Sequence, residues 1–418
     1  MNEKQQATAY TTKICIVGAG PAGATTSIFL GKMGIPHIIV DAAVFPRDKV
    51  CGDGLDLNTI RVLNHINPDL VKQELSNGNF FTPSAGLRFI LHDGKKVDMA
   101  LDTKDERIEK HKRALFYVSK RGHFDNFLVR QIDAKQTTAL LGTKIETITR
   151  ENKKWHIEGV RAKGPVHIEA DFLIGADGDH SVVLRHLGER KIDRNNYAGA
   201  VRQYWKGVKG THADNHIEVY FPKKLPFSYF WIFPLPNGEA NVGYGMASRY
   251  IHKKKINVRK AFEELIATDP LLKHRFEGAE PLETVKGWGV PMSGRHRKAH
   301  GDGYLLVGDA ASLVCPSSGE GIGSGMLSGY TAAQFLQRAE QRNDFSEAMF
   351  ATYDREVHKR MRREEKMYRI ANLLPGWLFS WLINSVLGSG IVQKSIMQSE
   401  MLQWVDTAYN KELVVNFD

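Results

Sequence analysis

The chain has 418 residues, 42% hydrophobic and 25% charged, and its 57 Lys+Arg against 47 Asp+Glu give a formal charge of +10. That length exceeds one compact core and predicts two interwoven domains, or one domain with appendages. A basic excess suits nucleic acid, an acidic membrane surface or an anionic ligand; with no Cys/His finger and no ribonucleoprotein motif, nucleic acid is not expected as a partner.

Cys15, Cys51 and Cys315 stand far apart, with no CxxC pair and no His cluster at metal-ligand spacing. No metal site and no disulfide framework is expected, and a reducing cytoplasm suits this cysteine usage. The first dozen residues are polar, so no signal peptide is expected. No apolar run reaches the length of a membrane span. The nearest is Leu373–Val392, interrupted by Pro375, Gly376 and Asn384.

In chain order, Lys13–Val17 reads as a short apolar strand, followed by Gly18-Ala19-Gly20-Pro21-Ala22-Gly23 and a helix to Lys32. Gly18 permits the tight turn, Gly20 lets the backbone approach a pyrophosphate, and Gly23 lets the helix pack closely on the strand. The helix N-terminus then receives the phosphate. A second strand, HIIVD, ends at Asp41, where a carboxylate accepts from ribose hydroxyls. The loop FPRDKVCGDGL (Phe45–Leu55) follows and packs Arg47, Lys49, Cys51 and two glycines together.

Further on, VSKRGHFDNFL places Arg121 at a helix start. DFLIGADGDHSVVLRHLG (Asp171–Gly188) is a strand, an Asp177-Gly178 turn and a helix carrying Arg185. Gly301–Ala333 repeats the theme, with Gly308-Asp309 after a strand and Gly319, Gly321 and Gly323 before a small-residue helix. Asp309 is placed to hold a ribityl hydroxyl, and the three glycines are expected to leave N–H groups free for a flavin pyrimidine.

These three motifs, in this order, resemble the FAD-dependent hydroxylase superfamily of the p-hydroxybenzoate hydroxylase type. Three more segments resemble its geranylgeranyl reductase family: PRDKVCGDGL resembles a Lys-x-Cys-Gly-x-Gly loop, YFWIFPLPNGEANVGYG a Tyr-x-Trp-x-Phe-Pro…Asn-x-Gly signature, and CPSSGEGIGSGM a Pro-x-x-Gly-Glu-Gly-Ile loop. The likeness spans residues 13 to about 335. It implies an α/β fold in which a Rossmann-like FAD-binding domain (1–78, 115–190 and 288–345) is interleaved with a β-sheet substrate domain (79–114 and 191–287). A helical C-terminal region (346–418) completes the chain.

The resemblance implies flavin contacts at Ala22, Asp41, Cys51, Gly52, Gly54, Arg121, Ile145, Asp309, Gly321 and Ile322, beside the fingerprint glycines Gly18, Gly20 and Gly23. It implies FAD as cofactor, NAD(P)H or another reductant as electron donor, and reduction of carbon–carbon double bonds in an isoprenoid of geranylgeranyl type. Tyr229, Trp231 and Phe233 are candidate walls for that hydrophobic substrate, or else ordinary core of a strand face. Cys51 and Asp53 are candidate proton sources, a carboxyl in an apolar site having its pKa raised in the needed direction. The competing activities are an aromatic monooxygenase using NAD(P)H and oxygen, and a halogenase; the halogenase motif Trp-x-Trp-x-Ile-Pro is departed from at Phe233. The basic Arg355–Arg369 segment ahead of Trp377 and Trp381 reads either as a peripheral contact with the inner face of a membrane, or as a charged helix face followed by helices capping the cavity.

Overall fold

The computed structural model describes residues 7–75, 78–100, 114–294, 297–389, 405–409 and 411–417; parts of the first predicted insertion (101–113) and of the tail (390–404) lie outside them. The chain folds as a mixed α/β protein built on two eight-stranded sheets.

The first sheet runs His300–Gly301, Tyr304–Leu306, Gly164–Gly175, Thr8–Val17, His37–Asp41, Thr137–Leu141, with Lys154–Arg161 and Lys144–Glu151 joined to the long Gly164–Gly175 strand. Its central pairs are parallel. Such strands are covered on both faces and so read as continuous apolar runs; Ile14–Ile16 and Phe172–Ile174 are fully buried. The first strand begins at Thr8, ahead of the apolar run from Lys13, because polar Thr8–Thr12 pairs in register with Val166–Ala170. Pairing with a neighbouring strand extends it where its own side chains carry no hydrophobic signal.

The helix Pro21–Lys32 packs against the helix Ile322–Arg342. The contact is close enough that a Cβ on Gly329 would lie 2.3 Å from the Ala22 carbonyl oxygen.

The second sheet runs Glu280–Pro281, Tyr197–Lys206, Glu239–Ala247, Ser228–Pro234, Ile217–Tyr220, Gly86–Ile90, Lys96–Ala100, with Lys286–Pro291 also paired to Tyr197–Lys206. The hairpin read from LPNGEAN forms: Asn237 (φ 62°) and Gly238 (φ 70°) take the left-handed turn positions, and Leu235 N–H donates to the Glu239 carbonyl. Along Ser228–Pro234 the faces alternate. Phe230 and Ile232 join a core with Val242, Tyr244 and Phe262, while Tyr229, Trp231 and Phe233 line a cavity between the sheets.

The C-terminal region is helical over Tyr353–His358, Arg362–Ala371 and Gly376–Gly388. Its last described residues return to the first sheet's helices, with Leu413 N–H donating to His65 and Arg61 to the Glu412 carbonyl. Among the described residues, no helix is long and apolar enough to cross a membrane.

Because the two helices touch through Gly329, Gly329→Ala is expected to cost about 1–3 kcal/mol by overpacking, although alanine is the better helix former. Thermal unfolding of the two proteins, with and without FAD, measures that loss.

Candidate active site

The three fingerprint glycines each do a different job. Gly18 has φ +106°, and a Cβ there would lie 2.4 Å from the Ala176 carbonyl oxygen. Gly20 is open, with Arg47 Nη2 at 3.7 Å as its nearest neighbour, so its face is free for a ligand. A Cβ on Gly23 would lie 1.9 Å from the Gly18 carbonyl oxygen, so Gly23 serves packing and does not line the cavity. Asp41 is braced by two backbone donors, Ala19 N–H at 2.7 Å and Ala43 N–H at 2.8 Å, and stands at the cavity wall.

The loop after Phe45 is held from below by a buried ion cluster. Asp125, with no exposed surface, accepts both arms of the Arg121 guanidinium (2.6 and 2.7 Å) and pairs with Arg47 at 2.9 Å. Lys49 Nζ lies 3.0 Å over the Trp288 ring. Among the described residues it has no hydrogen-bond partner, and burial pulls its ammonium down to about 8.

Cys51 offers its carbonyl to Asn241 Nδ2 at 2.8 Å. Burial pushes its thiol up, against the charge of Arg121 beside it. Cys51 and Cys315 are both free thiols.

Asp53 takes the left-handed conformation (φ 65°), which Asp tolerates better than most residues. It is fully buried, and its Oδ2 accepts from Tyr204 Oη at 2.7 Å and Asn241 Nδ2 at 2.8 Å. Its Oδ1 has no partner among the described residues, and burial pushes the carboxyl up to about 6, against the two hydrogen bonds.

Tyr204 and Asn241 were not nominated from sequence, although Asn241 sits inside the Asn-x-Gly signature. Gly52 and Gly54 were expected to bring the backbone near a flavin. Their Cβ positions face Phe233 Cε2, at 3.3 and 3.4 Å, so they also let the loop lie flat on the aromatic wall.

Asp177 spends its carboxylate locally, accepting from Ser181 Oγ and the Val182 and Val183 N–H groups at the start of a short helix. In the late loop, two of the three glycine N–H groups expected to be free are engaged. Gly319 N–H donates to the Cys315 carbonyl at 2.8 Å and Gly323 N–H to the Glu320 carboxylate, which folds back to cap the helix Ile322–Arg342. Gly319 has φ +74°, and a Cβ there would meet Tyr229 Oη, which donates to the Ser318 carbonyl at 3.1 Å.

These groups share one cavity of about 1380 Å³. Gly18, Gly20, Ala22, Asp41, Cys51, Gly52, Asp53, Gly54, Arg121, Ile145, Asp309, Gly321 and Ile322 line it, as do Tyr229, Trp231 and Phe233. Ligand pockets usually run to about 300–1,000 Å³, so this one has room for a dinucleotide and a second molecule. FAD fits the polar part: an open glycine turn at a helix N-terminus, a braced carboxylate at a strand end, and buried donors and acceptors left unpaired (Lys49 Nζ, Asp53 Oδ1 and Thr143 Oγ1).

Comparison with known proteins agrees. Residues 11–367 match the family described as "FAD binding domain", and the chain belongs to that family. It is a FAD-dependent oxidoreductase. Digeranylgeranylglycerophospholipid reductase of Methanocaldococcus jannaschii is 29% identical over 346 residues, 82% of this chain and 81% of that one. Menaquinone reductase of Mycobacterium tuberculosis is 28% identical over 330 residues, 77% and 76% of the two chains. The solved structure of a geranylgeranyl bacteriochlorophyll reductase-like protein from Thermoplasma acidophilum shares the fold, with TM-score 0.77 and 23% identity over 96% of this chain and 97% of that one. A flavin-dependent brominase shares it too, with TM-score 0.75 at 18% identity over 96% and 94%. The geranylgeranyl reductase resemblance read from the loops thus recurs in whole-chain comparison, and so does the neighbouring halogenase fold.

The Arg121 fork is the member of this site whose loss is easiest to read. Arg121→Met leaves the Asp125 charge buried with Arg47 alone, and is expected to cost about 3 kcal/mol and to lower the FAD content. Arg121→Lys, which keeps the charge but loses the fork, should fall between. Urea unfolding and the flavin-to-protein absorbance ratio report both effects.

Proposed function

We propose that the protein reduces carbon–carbon double bonds of an isoprenoid chain. The observation that carries the reading is the composition of the large cavity. Its FAD-matched end continues into an apolar space walled by Leu87, Phe89, Phe116, Val219, Phe221 and Phe227, the surroundings an unpolarised polyprenyl chain needs. The relatives named digeranylgeranylglycerophospholipid reductase and menaquinone reductase support an isoprenoid.

In this reading bound FAD, reduced by NAD(P)H or another donor, supplies the hydride. The chain's own residues orient the alkene, exclude water and deliver the proton. Trp231 and Phe233 lie against the Cys51–Gly54 loop and bring the substrate wall next to the flavin contacts. Cys51 and Asp53 face the same space; the thiol stays protonated at neutral pH because burial opposes its ionisation.

The test is anaerobic. Photoreduced protein mixed with a polyprenyl quinone or a geranylgeranyl lipid should reoxidise its flavin and return the substrate with one double bond fewer. Oxygen-dependent NAD(P)H consumption with a phenol, and no anaerobic reoxidation by prenyl compounds, would instead establish a monooxygenase. Cys51→Ala is expected to keep its FAD and lose about tenfold or more in turnover, within the range for a group at the reacting centre. Full activity in that variant would leave Cys51 a packing role.

We further infer that the substrate enters from a lipid surface through the C-terminal helices. Tyr368, Ala371, Phe379 and Ile383 line the cavity from within, Phe379 stacked on Phe227 at 4.3 Å. The second of these helices, Gly376–Gly388, exposes Trp377 (73%) and Trp381 (59%), and the link before it exposes Leu373 (84%). Exposed Arg362, Arg363, Lys366 and Arg369 accompany them, which suits an anionic interface. Vesicles containing anionic phospholipid should sediment the protein. Trp377→Ser/Trp381→Ser should weaken that binding at least about tenfold, each buried large side chain contributing roughly 1.5–3 kcal/mol; unchanged sedimentation would refute the entry route.

A further inference from the structure

Two cavities meet at the late flavin loop. Asp56, Asn58, Ser318 and Glu320 line the large cavity and also a small one of about 130 Å³. The small one is edged by Ser324, Ser328, Tyr330, Thr331, Glu356 and Glu364. Its volume admits several waters, each needing roughly 10–15 Å³.

The two carboxyls of the shared wall converge on one residue. Glu320 Oε1 accepts from Gly323 N–H and Oε2 from Ser324 N–H at 3.4 Å, while a Cβ on Gly323 would lie 2.2 Å from Asp56 Oδ1.

Their surroundings differ in a way that sorts the proton. Asp56 accepts from Thr59 N–H (2.9 Å), Thr59 Oγ1 (3.0 Å) and Asn58 Nδ2 (2.8 Å) at the start of its own helix. Glu320 has two backbone donors, one of them long. Burial pushes both carboxyls up, and the neighbouring Asp56 pushes Glu320 further, well above the usual range. Asp309, Glu356 and Glu364 also face this corner, with the Cys315 thiol; no lysine or arginine lines the small cavity among the described residues. Negative charge is therefore favoured on Asp56, which has more hydrogen-bond donors, and the proton on Glu320, the division expected of paired carboxyls in unequal environments.

We propose that Glu320 is the acid that protonates the alkene, and that Asp56 and the small polar cavity reload it. The proposal rests on the alkene-reductase reading. With FAD bound and reduced as the hydride source, the hydride pair would form a C–H bond at one alkene carbon. The π pair forms a C–H bond at the other carbon with the proton released from the Glu320 O–H bond, and the Glu320 carboxylate then recovers a proton from water in the small cavity. Each turn consumes one hydride and one solvent proton. Glu320 surpasses Asp53 in this role because it borders both cavities, whereas Asp53 lines only the large one and its Oδ2 is held by Tyr204 and Asn241.

The experiment is single-turnover reoxidation of the photoreduced holoenzyme by a geranylgeranyl lipid that carries no quinone ring, without oxygen, across pH. Glu320→Gln should slow reoxidation by about 100-fold or more, as loss of a general acid does, while keeping its flavin and its rate of photoreduction. Glu320→Asp should recover part of the loss. The wild-type rate should fall as pH rises through the Glu320 pKa. Asp56→Asn, which removes the neighbouring charge, should move that fall to lower pH.

A wild-type rate and pH profile in Glu320→Gln would overturn the proposal. So would loss of the alkaline limb in Asp53→Asn but not in Glu320→Gln. Should Glu320→Gln fail to hold flavin, the Asp56→Asn profile decides: an unmoved limb rejects the pair. A wild-type protein that no prenyl compound reoxidises would reject the reductase reading itself, and that outcome is distinct from failure of Glu320.

Discussion

The site depends on one buried tie. Asn241, in the middle of the second sheet, gives its amide hydrogens to the Cys51 carbonyl and to Asp53 Oδ2, and takes the Trp231 indole N–H on its own oxygen at 2.9 Å. Tyr204 adds a second donor to the same Asp53 oxygen. A buried polar group left unpaired costs about 1–3 kcal/mol, so these bonds leave the loop little freedom. The tie fastens a loop that follows the first sheet's second strand onto the second sheet, and it sets Cys51, Gly52 and Gly54 against Trp231 and Phe233. The loop after Asp41 and the aromatic wall of the second sheet therefore meet across a fixed distance.

The charges around the cavity follow from that placement. Arg47 and Arg121 share Asp125 below the loop, and Lys49 is left without a counter-ion in hydrogen-bond contact, over Trp288. Arg202 is held by Asp48 and Glu283 at the loop's outer flank. A basic excess admits several readings; here part of it surrounds a space shaped for an anionic dinucleotide. Burial keeps the Cys51 thiol protonated near neutral pH and brings Asp53 to about 6, so Asp53 gains its proton only just below neutrality.

Local motifs were legible because each residue's job is local. The Gly18–Gly23 turn, the Asp41 strand end and the Asn237-Gly238 hairpin all follow from φ requirements and spacing within a few residues. The aromatic strand was legible down to its alternation, though the sequence left open whether Tyr229, Trp231 and Phe233 face a ligand or a core. Burial decides between those, and burial depends on what the second sheet packs against. The Asp53–Tyr204 and Asp53–Asn241 bonds join residues 151 and 188 positions apart, and no periodicity encodes such a separation. The same holds for Lys49 over Trp288 and for Asp56 beside Glu320. The free N–H groups expected of Gly319 and Gly323 failed for a related reason: the loop closes on itself through Cys315 and Glu320, and a glycine count does not show where its N–H groups point.

The central claim is that one cavity holds FAD and an isoprenoid alkene together and adds hydrogen across the double bond. Mass spectrometry of a polyprenyl substrate after anaerobic turnover tests it most directly. The account predicts a product heavier by two hydrogens for each bond reduced, both replaced by deuterium when the reaction runs in D2O, because flavin N5–H and carboxyl protons exchange with solvent. A product that has gained an oxygen atom, formed when air is admitted, or an unchanged prenyl chain beside a reoxidised flavin, would contradict it.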